Sequence, residues 1–314
     1  MTAGPARLPE HVEPMLAKIG RPFDSEDHFF EIKWDGVRAV TYVENDQHRM
    51  HGRRRRDLAT RYPELAFLSR LPAGTVLDGE LIVLQADGRP DFRAILSREN
   101  ARAADAARRA RLHPVVYVVF DLLYLDFRPL LEQPFTTRRA ALEQLVESVG
   151  ASAGEARRIV LSEGVVGAGL ELFAAAVERQ LEGVVAKRLD APYRPGERSE
   201  AWQKIKPVQS VHCLILGYEP DGERDFKSLI LATDLDGELR CVGKVGSGLT
   251  ERSKAELRAL MFTRRRERAL IETGLKGCWI EPGLFCTVAF VERTHSGALR
   301  APVFQGLVPL DSSS

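Results

Sequence analysis

The sequence predicts an α+β fold in two domains, a mixed antiparallel sheet with helices followed by a small β-barrel. β-Rich runs and helical patterns do not alternate regularly up to Pro207, which argues against a parallel α/β sheet. After Pro207 the pattern changes to short strands with one helix over about a hundred residues, as in a five-stranded barrel. The 314 residues are 44% hydrophobic, enough for a core in each domain. We place the domains at residues 1–208 and 209–314.

Strands of the first domain are predicted from apolar runs and turn dipeptides. Two β-rich runs span 29–43, and Asp35-Gly36 between them favours a tight hairpin turn, which places Lys33 at a strand end. A similar turn is predicted at Asp78-Gly79, and a Glu-Gly turn at Glu182-Gly183. Further strands are predicted at 115–125, as a central strand, and at 202–206, ending before Pro207.

Helical patterns lie between these strands, at about 91–111, at 136–149 with Thr136 as the N-cap, and at about 169–181. In the second domain, residues 211–247 are predicted as short strands with turns at Asp221-Gly222 and Asp236-Gly237. A helix is expected to begin near Thr250, and short strands to follow over 278–303. This order of elements fits a barrel of the oligonucleotide-binding (OB) type.

Composition and charge exclude several classes of protein. The longest unbroken apolar run, Val115–Phe120, is too short to cross a bilayer, and the N-terminus lacks a signal-peptide pattern. We therefore expect a cytoplasmic protein that makes no membrane contact. The four cysteines lack Cys-x-x-Cys spacing, which argues against a zinc site or a disulfide scaffold.

The formal charge is only +1, but the arginines are clustered. Three clusters suit phosphate backbones, although any one cluster is more often a solvated face. Their members are Arg53, Arg54, Arg55 and Arg56; Arg102, Arg108, Arg109 and Arg111; and Arg264, Arg265, Arg266 and Arg268.

A series of short motifs carries the functional signal. Lys33 alone would be an ordinary strand-end lysine. It stands, however, in an ordered series: Lys33-Trp34-Asp35-Gly36 with Arg38, then Arg53, Asp78-Gly79-Glu80, Phe120-Asp121, Glu182-Gly183-Val184-Val185-Ala186-Lys187, and Lys204-Ile205-Lys206. This series resembles the motifs of the covalent nucleotidyltransferases, and in particular the ATP-dependent DNA ligases. The sequence is most similar to the ligase domain of the bacterial non-homologous end-joining enzymes called ligase D.

The resemblance runs from about Glu13 to Leu307. It implies that the first domain is a nucleotidyltransferase (adenylation) domain and the second an OB-fold domain. It also implies that the chain seals 5′-phosphate/3′-hydroxyl nicks in duplex DNA, by way of a lysyl-AMP intermediate.

The chemistry of lysine is consistent with a nucleophilic role for Lys33. An amine attacks phosphorus only when neutral, and the reference pKa of lysine is about 10.4, so the site must favour the free base. Nearby cations have that effect. The resemblance implies that Lys33 takes AMP from ATP as a phosphoramidate, while Lys204 and Lys206 neutralise the α-phosphate.

The remaining candidate residues bind nucleotide or metal. Glu80 and Glu182 match the two carboxylates of the family that hold Mg²⁺ or Mn²⁺, an ion that usually has one or two protein carboxylates as ligands. Phe120 ends an apolar run, which is typical of a core aromatic, whereas the resemblance implies a ring stacked on adenine. We favour stacking, because Asp121 suggests that this strand end faces something polar. The resemblance places Glu31 at the adenine edge and adds the nucleotide-binding residues Ile32, Arg38, Arg53, Lys187 and Arg198. Asp35 and Asp78 could have only a structural role, in the two predicted Asp-Gly turns.

Two segments depart from the family pattern. Where the family usually has Ser-Arg-Asn-Gly, this chain has Gly52-Arg53-Arg54-Arg55, which could be remodelled for DNA contact. The C-terminal segment follows the family to Leu307, but Val308-Pro309-Leu310-Asp311 replaces the basic Arg-x-Asp-Lys. In the family these basic residues orient the pyrophosphate leaving group.

Other functions remain open at this point. The same chemistry with another acceptor would give an RNA ligase or a capping guanylyltransferase, but residues 243–248 and 300–302 favour DNA. A catalytically weak DNA-binding protein is the alternative from another class. An end-joining role would imply the Ku end-binding protein as partner and a nucleoid-associated monomer. The sequence allows either a stand-alone ligase or an excised domain.

The altered C-terminal segment leads to a testable prediction. Pyrophosphate departure develops negative charge that Lys204 and Lys206, committed to the α-phosphate, do not reach, so the first step should be slow. Sealing of a pre-adenylated nick releases no pyrophosphate and should proceed at family-like rates. Single-turnover assays of the two reactions test this. Equal rates would mean that the departure has no mechanistic effect, or that Arg300 or the arginines of 264–268 substitute.

Overall fold

A computed structural model describes residues 7–53, 55–150, 158–294 and 296–308 of the chain. Arg54 and the segment 309–311, on which two of the predictions above bear, lie outside the described residues. The chain divides after Lys206 into two compact units. Within the described ranges, no helix is long and apolar enough to cross a membrane.

The described elements are numbered in chain order. The strands are β1 Leu16–Ile19, β2 Ser25–Ile32, β3 Val37–Glu44, β4 Gln47–His51, β5 Thr75–Val83, β6 Val115–Leu125, β7 Arg128–Pro129, β8 Ile159–Leu161, β9 Gly164–Gly167, β10 Val184–Arg188, β11 Arg198–Ile205, β12 Gln209–Asp221, β13 Asp225–Leu235, β14 Glu238–Val245, β15 Arg265–Arg266, β16 Cys278–Ile280, β17 Phe285–Phe290, β18 Glu292–Arg293, β19 Leu299–Arg300 and β20 Val303–Leu307. The α-helices are α1 Phe92–Glu99, α2 Ala106–Leu112, α3 Phe135–Gly150, α4 Gly169–Glu178 and α5 Glu251–Met261, and short 3₁₀ segments span Ala59–Arg61, Pro63–Arg70 and Ala103–Asp105.

Two sheets form the first unit. The first has the strand order β1-β11-β10-β2-β9, and the second has the order β4-β3-β5-β6-β7, with β8 also paired to β6. The pairs β1/β11 and β6/β8 are parallel, and the other pairs are antiparallel. The predicted mixed, mainly antiparallel α+β architecture is therefore confirmed.

Strand alternation distributes the core over both faces of the second sheet. On β3, Ala39 and Val43 join the apolar cluster that the sheet forms with the 3₁₀ segment 63–70, α1 and α3. Val40 and Tyr42 point the other way, into a cluster that includes Trp202 of the first sheet. Because side chains alternate with a period of two, this second set fixes which residues face the space between the sheets.

Two predicted hairpin turns are wrong. Asp35-Gly36 does not join paired strands, because β2 and β3 belong to different sheets, and the dipeptide carries the chain from one sheet to the other. Asp78-Gly79 lies inside the continuous strand β5. A Cβ on Gly79 would lie 2.5 Å from the Val118 carbonyl oxygen and 2.6 Å from the Tyr117 ring. Glycine is needed there for close packing and not for a turn.

The predicted helix over 91–111 is two helices, α1 and α2, separated by the 3₁₀ segment 103–105. Asp91 caps α1, its carboxylate accepting a hydrogen bond from the Ala94 N–H at 2.9 Å. Near the end of α1, the buried Arg98 pairs with Glu64 at 2.6 Å. Thr136 is not an N-cap, because α3 begins at Phe135. The helix predicted at 169–181 is confirmed as α4, which is three residues shorter.

The second unit contains a larger sheet than the predicted five strands. Within the described residues it has the order β14-β13-β12-β16-β15, with β17 joining β12 to β20, and β18 pairs separately with β19. The predicted turn at Asp236-Gly237 joins β13 to β14, with φ angles of 56° and 84°. The predicted start of a helix at Thr250 is confirmed, since its side chain forms a reciprocal capping box with Ser253.

A buried ion pair in the first unit leads to a stability prediction. Arg138 binds both oxygens of Asp121, at 2.7 and 2.9 Å, and neither side chain is exposed. Asp121→Asn leaves a buried guanidinium without a full countercharge, so the free energy of unfolding should fall by about 3 to 5 kcal/mol. Urea unfolding measures it.

The matched control is Arg188→Ala, which breaks the exposed pair of Arg188 with Asp190. It should leave the unfolding midpoint unchanged. If Asp121→Asn were no more damaging than this control, the buried pair would contribute nothing to stability.

Candidate active site

The candidate site lies where the two sheets of the first unit face each other. Across the first sheet, Glu31 pairs in register with Val185, and Val185 with Lys204. Residues directly opposite on paired strands share a face, so this row lies on one side of the sheet. On β11, Trp202 belongs to that side as well and packs into the cluster between the sheets. From the second sheet, Arg38 and Glu80 are register partners on β3 and β5.

Lys33 immediately follows β2, as the sequence predicts, and its backbone N–H donates to the Gly183 carbonyl at 2.9 Å. Its ammonium group pairs with Oε2 of Glu182, while Nζ of Lys206 lies 2.6 Å from Oε1 of the same carboxylate. The Lys33 side chain is 20% exposed. The structure therefore brings together three predicted site residues, from the ends of β2 and β11 and the turn before β10.

Carboxylates cluster around this group of lysines. Burial raises the pKa of Glu80 to about 7, and Glu182 adds to the rise, while Arg38, Arg53 and Lys33 oppose it. The pKa of Asp35 is also raised, first by burial and then by the negative charge of Glu182. Three acidic side chains thus interact in a partly desolvated space.

This acidic cluster fits a hydrated divalent cation better than a closed metal cage. Among the described residues, no group of three or more His, Cys, Asp or Glu side chains is arranged to hold a metal ion. Mg²⁺ usually takes one or two protein carboxylates and completes its shell with water and phosphate oxygens. Glu80 and Glu182 would suit that role, because a bound cation would offset the unfavourable burial of their negative charge.

An aromatic and cationic cluster lies beside the lysines. Phe120 is 8% exposed and contacts Trp202 edge to face, with 6.1 Å between ring centroids. The Arg38 guanidinium lies 4.6 Å and the Lys187 ammonium 4.4 Å from the centre of the Phe120 ring. The ring is thus part of the core, and its stacking on adenine stays a prediction.

Glu31 and Lys187 form a buried pair under this cluster. Their side chains are 3% and 1% exposed, with 2.6 Å between Oε1 and Nζ. Burial raises the pKa of Glu31, and Lys187 and the Ser162 hydroxyl oppose the rise. Two buried polar atoms here have no hydrogen-bond partner among the described residues, Oε2 of Glu31 and Nε1 of Trp202. Buried acceptors and donors without partners are costly unless a ligand supplies them.

Asp78 proves to be a structural residue that orients Arg38. It is fully buried and accepts two hydrogen bonds from the Arg38 guanidinium, both at 2.5 Å. The Tyr193 hydroxyl donates to it at 2.6 Å and accepts from the Met15 N–H at 2.8 Å. Tyr193 was not among the predicted residues, since a tyrosine between prolines gives no distinctive signal. The alternation of Trp202, Lys204 and Lys206 could have identified Trp202.

Asp121 is fully buried, so it does not show that the strand end at Phe120 faces a polar space, as the sequence analysis argued. Its carboxylate is occupied by Arg138, which comes from α3 and is as fully buried as Asp121. The prediction that Phe120 stacks on adenine therefore loses this argument. Sequence could not distinguish the two cases, because α3 and β6 meet only in the folded chain.

The other predicted residues lie outside the group around Lys33. Arg53 is exposed in a turn after β4 and acts on Glu80 through its charge. Arg198 begins β11, six residues before Lys204, and donates to the Ala17 carbonyl. The Ile32 side chain packs on the opposite face of the sheet, in the cluster with α4. Lys204 is partly buried on β11.

Comparison with known proteins identifies the family. The model of the family described as "ATP dependent DNA ligase domain" matches residues 10–206, and that described as "ATP dependent DNA ligase C terminal region" matches residues 222–309. The chain belongs to the ATP-dependent DNA ligase family. The resemblance inferred from the motif series is thus confirmed.

Two curated relatives show how this ligase compares in length. It is 30% identical over 295 residues to the SPbeta prophage-derived DNA ligase-like protein LigB of Bacillus subtilis, covering 94% of this chain and 98% of the relative. It is 32% identical over 313 residues to the multifunctional non-homologous end joining DNA repair protein LigD of Mycobacterium tuberculosis, covering 96% of this chain. The ligase spans only 39% of the length of that LigD relative.

Solved structures agree with the fold of the ligase. A mycobacterial DNA ligase D complexed with ATP and MES matches with a TM-score of 0.54 at 32% identity, covering 95% of both chains. The ligase domain of M. tuberculosis LigD matches with a TM-score of 0.56, also at 32% identity and 95% coverage of both chains. The predicted combination of an adenylation domain with a C-terminal β-sheet domain is confirmed.

The raised pKa of Glu80 leads to a prediction about stability and pH. Between pH 4.5 and about 7 the folded protein holds a proton that the unfolded chain has released. The free energy of unfolding should therefore fall as the pH rises through that window, and Glu80→Gln should remove this part of the fall. If Glu80 is a metal ligand, Mg²⁺ should flatten the fall in the wild type and leave Glu80→Gln unaffected.

Chemical unfolding across that pH range, with and without Mg²⁺, measures these slopes. Glu132→Gln is the control, because Glu132 is an exposed glutamate that forms an ion pair with Arg194 at the surface. It should keep the wild-type slope. Identical slopes in the wild type and Glu80→Gln would contradict the prediction.

Proposed function

We propose that this ligase seals 5′-phosphate/3′-hydroxyl nicks in duplex DNA through a lysyl-AMP intermediate on Lys33. The observation that supports this most directly is the position of the Lys33 amine, which is partly exposed and pairs with a carboxylate that a second lysine, Lys206, shares. An exposed lysine on the surface of the first unit has different surroundings. Lys18, for example, pairs only with Glu200 at the surface.

The first step forms a bond between Nζ of Lys33 and the α-phosphorus of ATP, and breaks the bond from that phosphorus to the pyrophosphate oxygen. Lys33 must lose a proton to do this, and the Glu182 carboxylate in contact with it is placed to accept that proton. In the second step an oxygen of the 5′-phosphate displaces Lys33 and takes the AMP group. In the third step the 3′-hydroxyl displaces AMP and forms the phosphodiester.

The adenine is proposed to lie against Phe120. An aromatic ring beside two buried polar atoms without partners, Oε2 of Glu31 and Nε1 of Trp202, offers a stacking face, an acceptor and a donor. A purine base carries complementary groups on its edge. Lys187 holds Glu31 in place and donates to the Phe120 carbonyl at 3.0 Å, so its role is to keep this pocket in shape.

Cationic side chains are proposed to bind the phosphates. Lys204 lies near the end of β11 and Lys206 directly follows it, where it shares Glu182 with Lys33, and both would neutralise the α-phosphate. Arg38, Arg53 and Arg198 would contact ATP and later the 5′-phosphate of the nick, a use that suits the planar guanidinium. Mg²⁺ or Mn²⁺, when held by Glu80 and Glu182, would supply charge neutralisation at the phosphate oxygens.

A role in end joining is proposed from the relatives. LigD of M. tuberculosis is named a multifunctional non-homologous end joining DNA repair protein, and this chain corresponds to 39% of it. We infer that the chain acts as a monomer on broken DNA in the nucleoid-associated cytoplasm, with the Ku end-binding protein as partner. Stimulation of end sealing by Ku, compared with sealing of a simple nick, would test the pathway separately from the chemistry.

Lys33→Ala tests the assignment of the nucleophile. This variant should take up no AMP label from ATP and should fail to seal ordinary nicks, since no other amine can reach the same position. The measurement is acid-labile labelling with radioactive ATP, followed by sealing of a nicked duplex and of a nicked RNA. Lys18→Ala, which removes an exposed lysine, should behave as the wild type. Label retained by Lys33→Ala would exclude Lys33 as the nucleophile.

A further inference from the structure

Ser162 is a fully buried residue that directly follows β8. Its N–H donates to the Val119 carbonyl at 2.8 Å, which extends the parallel pairing of β8 with β6 by one residue. Its carbonyl accepts a hydrogen bond from Arg139 of α3 at 2.6 Å. The backbone of Ser162 is therefore fixed by two hydrogen bonds. One of them goes to Val119, the residue before Phe120 on β6.

The hydroxyl of Ser162 contacts the loop that carries the nucleophile. It accepts a hydrogen bond at 3.2 Å from the indole Nε1 of Trp34, the residue next to Lys33. The backbone of Lys33 is held separately, through its N–H to Gly183 at 2.9 Å. The loop is thus attached to the first sheet at Gly183 and to the second sheet through Ser162.

The same hydroxyl also acts on the base-binding side of the site. The Ser162 hydroxyl opposes the rise in the pKa of Glu31 that burial causes. Glu31 pairs with Lys187, and Lys187 donates to the Phe120 carbonyl. The hydrogen-bonded connection from Ser162 to Phe120 runs through the backbone of Val119, and the Glu31–Lys187 pair supports the same part of the pocket.

We propose that Ser162 is a positioning residue for lysine adenylation, which sets the distance between the Lys33 loop and the pocket at Phe120 and Glu31. The proposal rests on the function proposed above. Its physical basis is that the hydroxyl accepts from Trp34 in the nucleophile loop, while the backbone N–H of Ser162 donates to Val119, the residue before Phe120. Alanine at this position would release the indole and leave Glu31 with one fewer polar neighbour. A displacement of about 1 Å in a nucleophile can cost on the order of 100-fold in rate.

The test compares two reactions in the same preparations of protein. Formation of lysyl-AMP requires attack by Lys33, whereas sealing of a pre-adenylated nick makes and breaks no bond at Lys33. Under single-turnover conditions, Ser162→Ala should slow lysyl-AMP formation about 10- to 100-fold at saturating ATP, while sealing of the pre-adenylated nick stays near the wild-type rate. A purely structural role would slow both reactions together.

Trp34→Phe provides a second variant, because it removes only the indole donor and keeps an aromatic ring. It should slow lysyl-AMP formation by about 10-fold, as for loss of one hydrogen bond, and the double variant should be no slower than Ser162→Ala alone. Ser228→Ala is the matched control. Ser228 is a buried serine of the second unit that donates to Glu219 at 2.9 Å, and its removal should leave both rates unchanged.

The outcomes separate this proposal from the function on which it rests. No lysyl-AMP in the wild type would overturn both. Label in the wild type, with equal slowing of both reactions in Ser162→Ala or with independent effects of the two substitutions, would overturn only the positioning role of Ser162.

Discussion

The arrangement of the site depends on one carboxylate, Glu182, which is shared between Lys33 and Lys206. Without it, two ammonium groups would repel each other at the edge of a sheet whose strands are set by backbone pairing. The pairing of β10 with both β2 and β11 brings the three residues to the same edge. The Gly183 turn, with φ of 131°, lets the chain bring Glu182 there, because a Cβ would lie 2.1 Å from the Ile205 carbonyl oxygen.

Charge compensation is the common principle of the space between the sheets. Arg38 with Asp78, Lys187 with Glu31, and Arg138 with Asp121 are each buried and each held by further hydrogen bonds. Such pairs contribute little net stability compared with apolar residues of similar size, but breaking one is costly. Their effect is to fix orientations: the Arg38 and Lys187 cations are both held against the Phe120 ring. The cleft is thus preorganised by groups that do no chemistry themselves.

Sequence reasoning succeeded where function depends on residues close in the chain. The β-rich runs and Pro207 correctly placed Lys33 directly after β2 and Lys206 directly after β11, and the motif series identified the family. It failed where a local signal has two causes. Asp-Gly at 35–36 and 78–79 predicted turns, but the first connects two sheets and the second lies within a strand beside Tyr117. The role of Ser162 has no sequence signal, because its partners Trp34, Val119 and Arg139 all lie more than twenty residues earlier in the chain.

Asp78 and Glu80 illustrate the limit most clearly. They are two residues apart on β5 and so share a face, and both belong to the same motif. Asp78 is neutralised by Arg38 and Tyr193, which come from β3 and from the segment before β11. Glu80 is opposite Arg38 in register, yet that guanidinium is already committed to Asp78, and the pKa of Glu80 rises to about 7. Which of the two carboxylates captures the arginine therefore decides which is neutralised within the fold, and the proposed function assigns the other, Glu80, to a cation from solution.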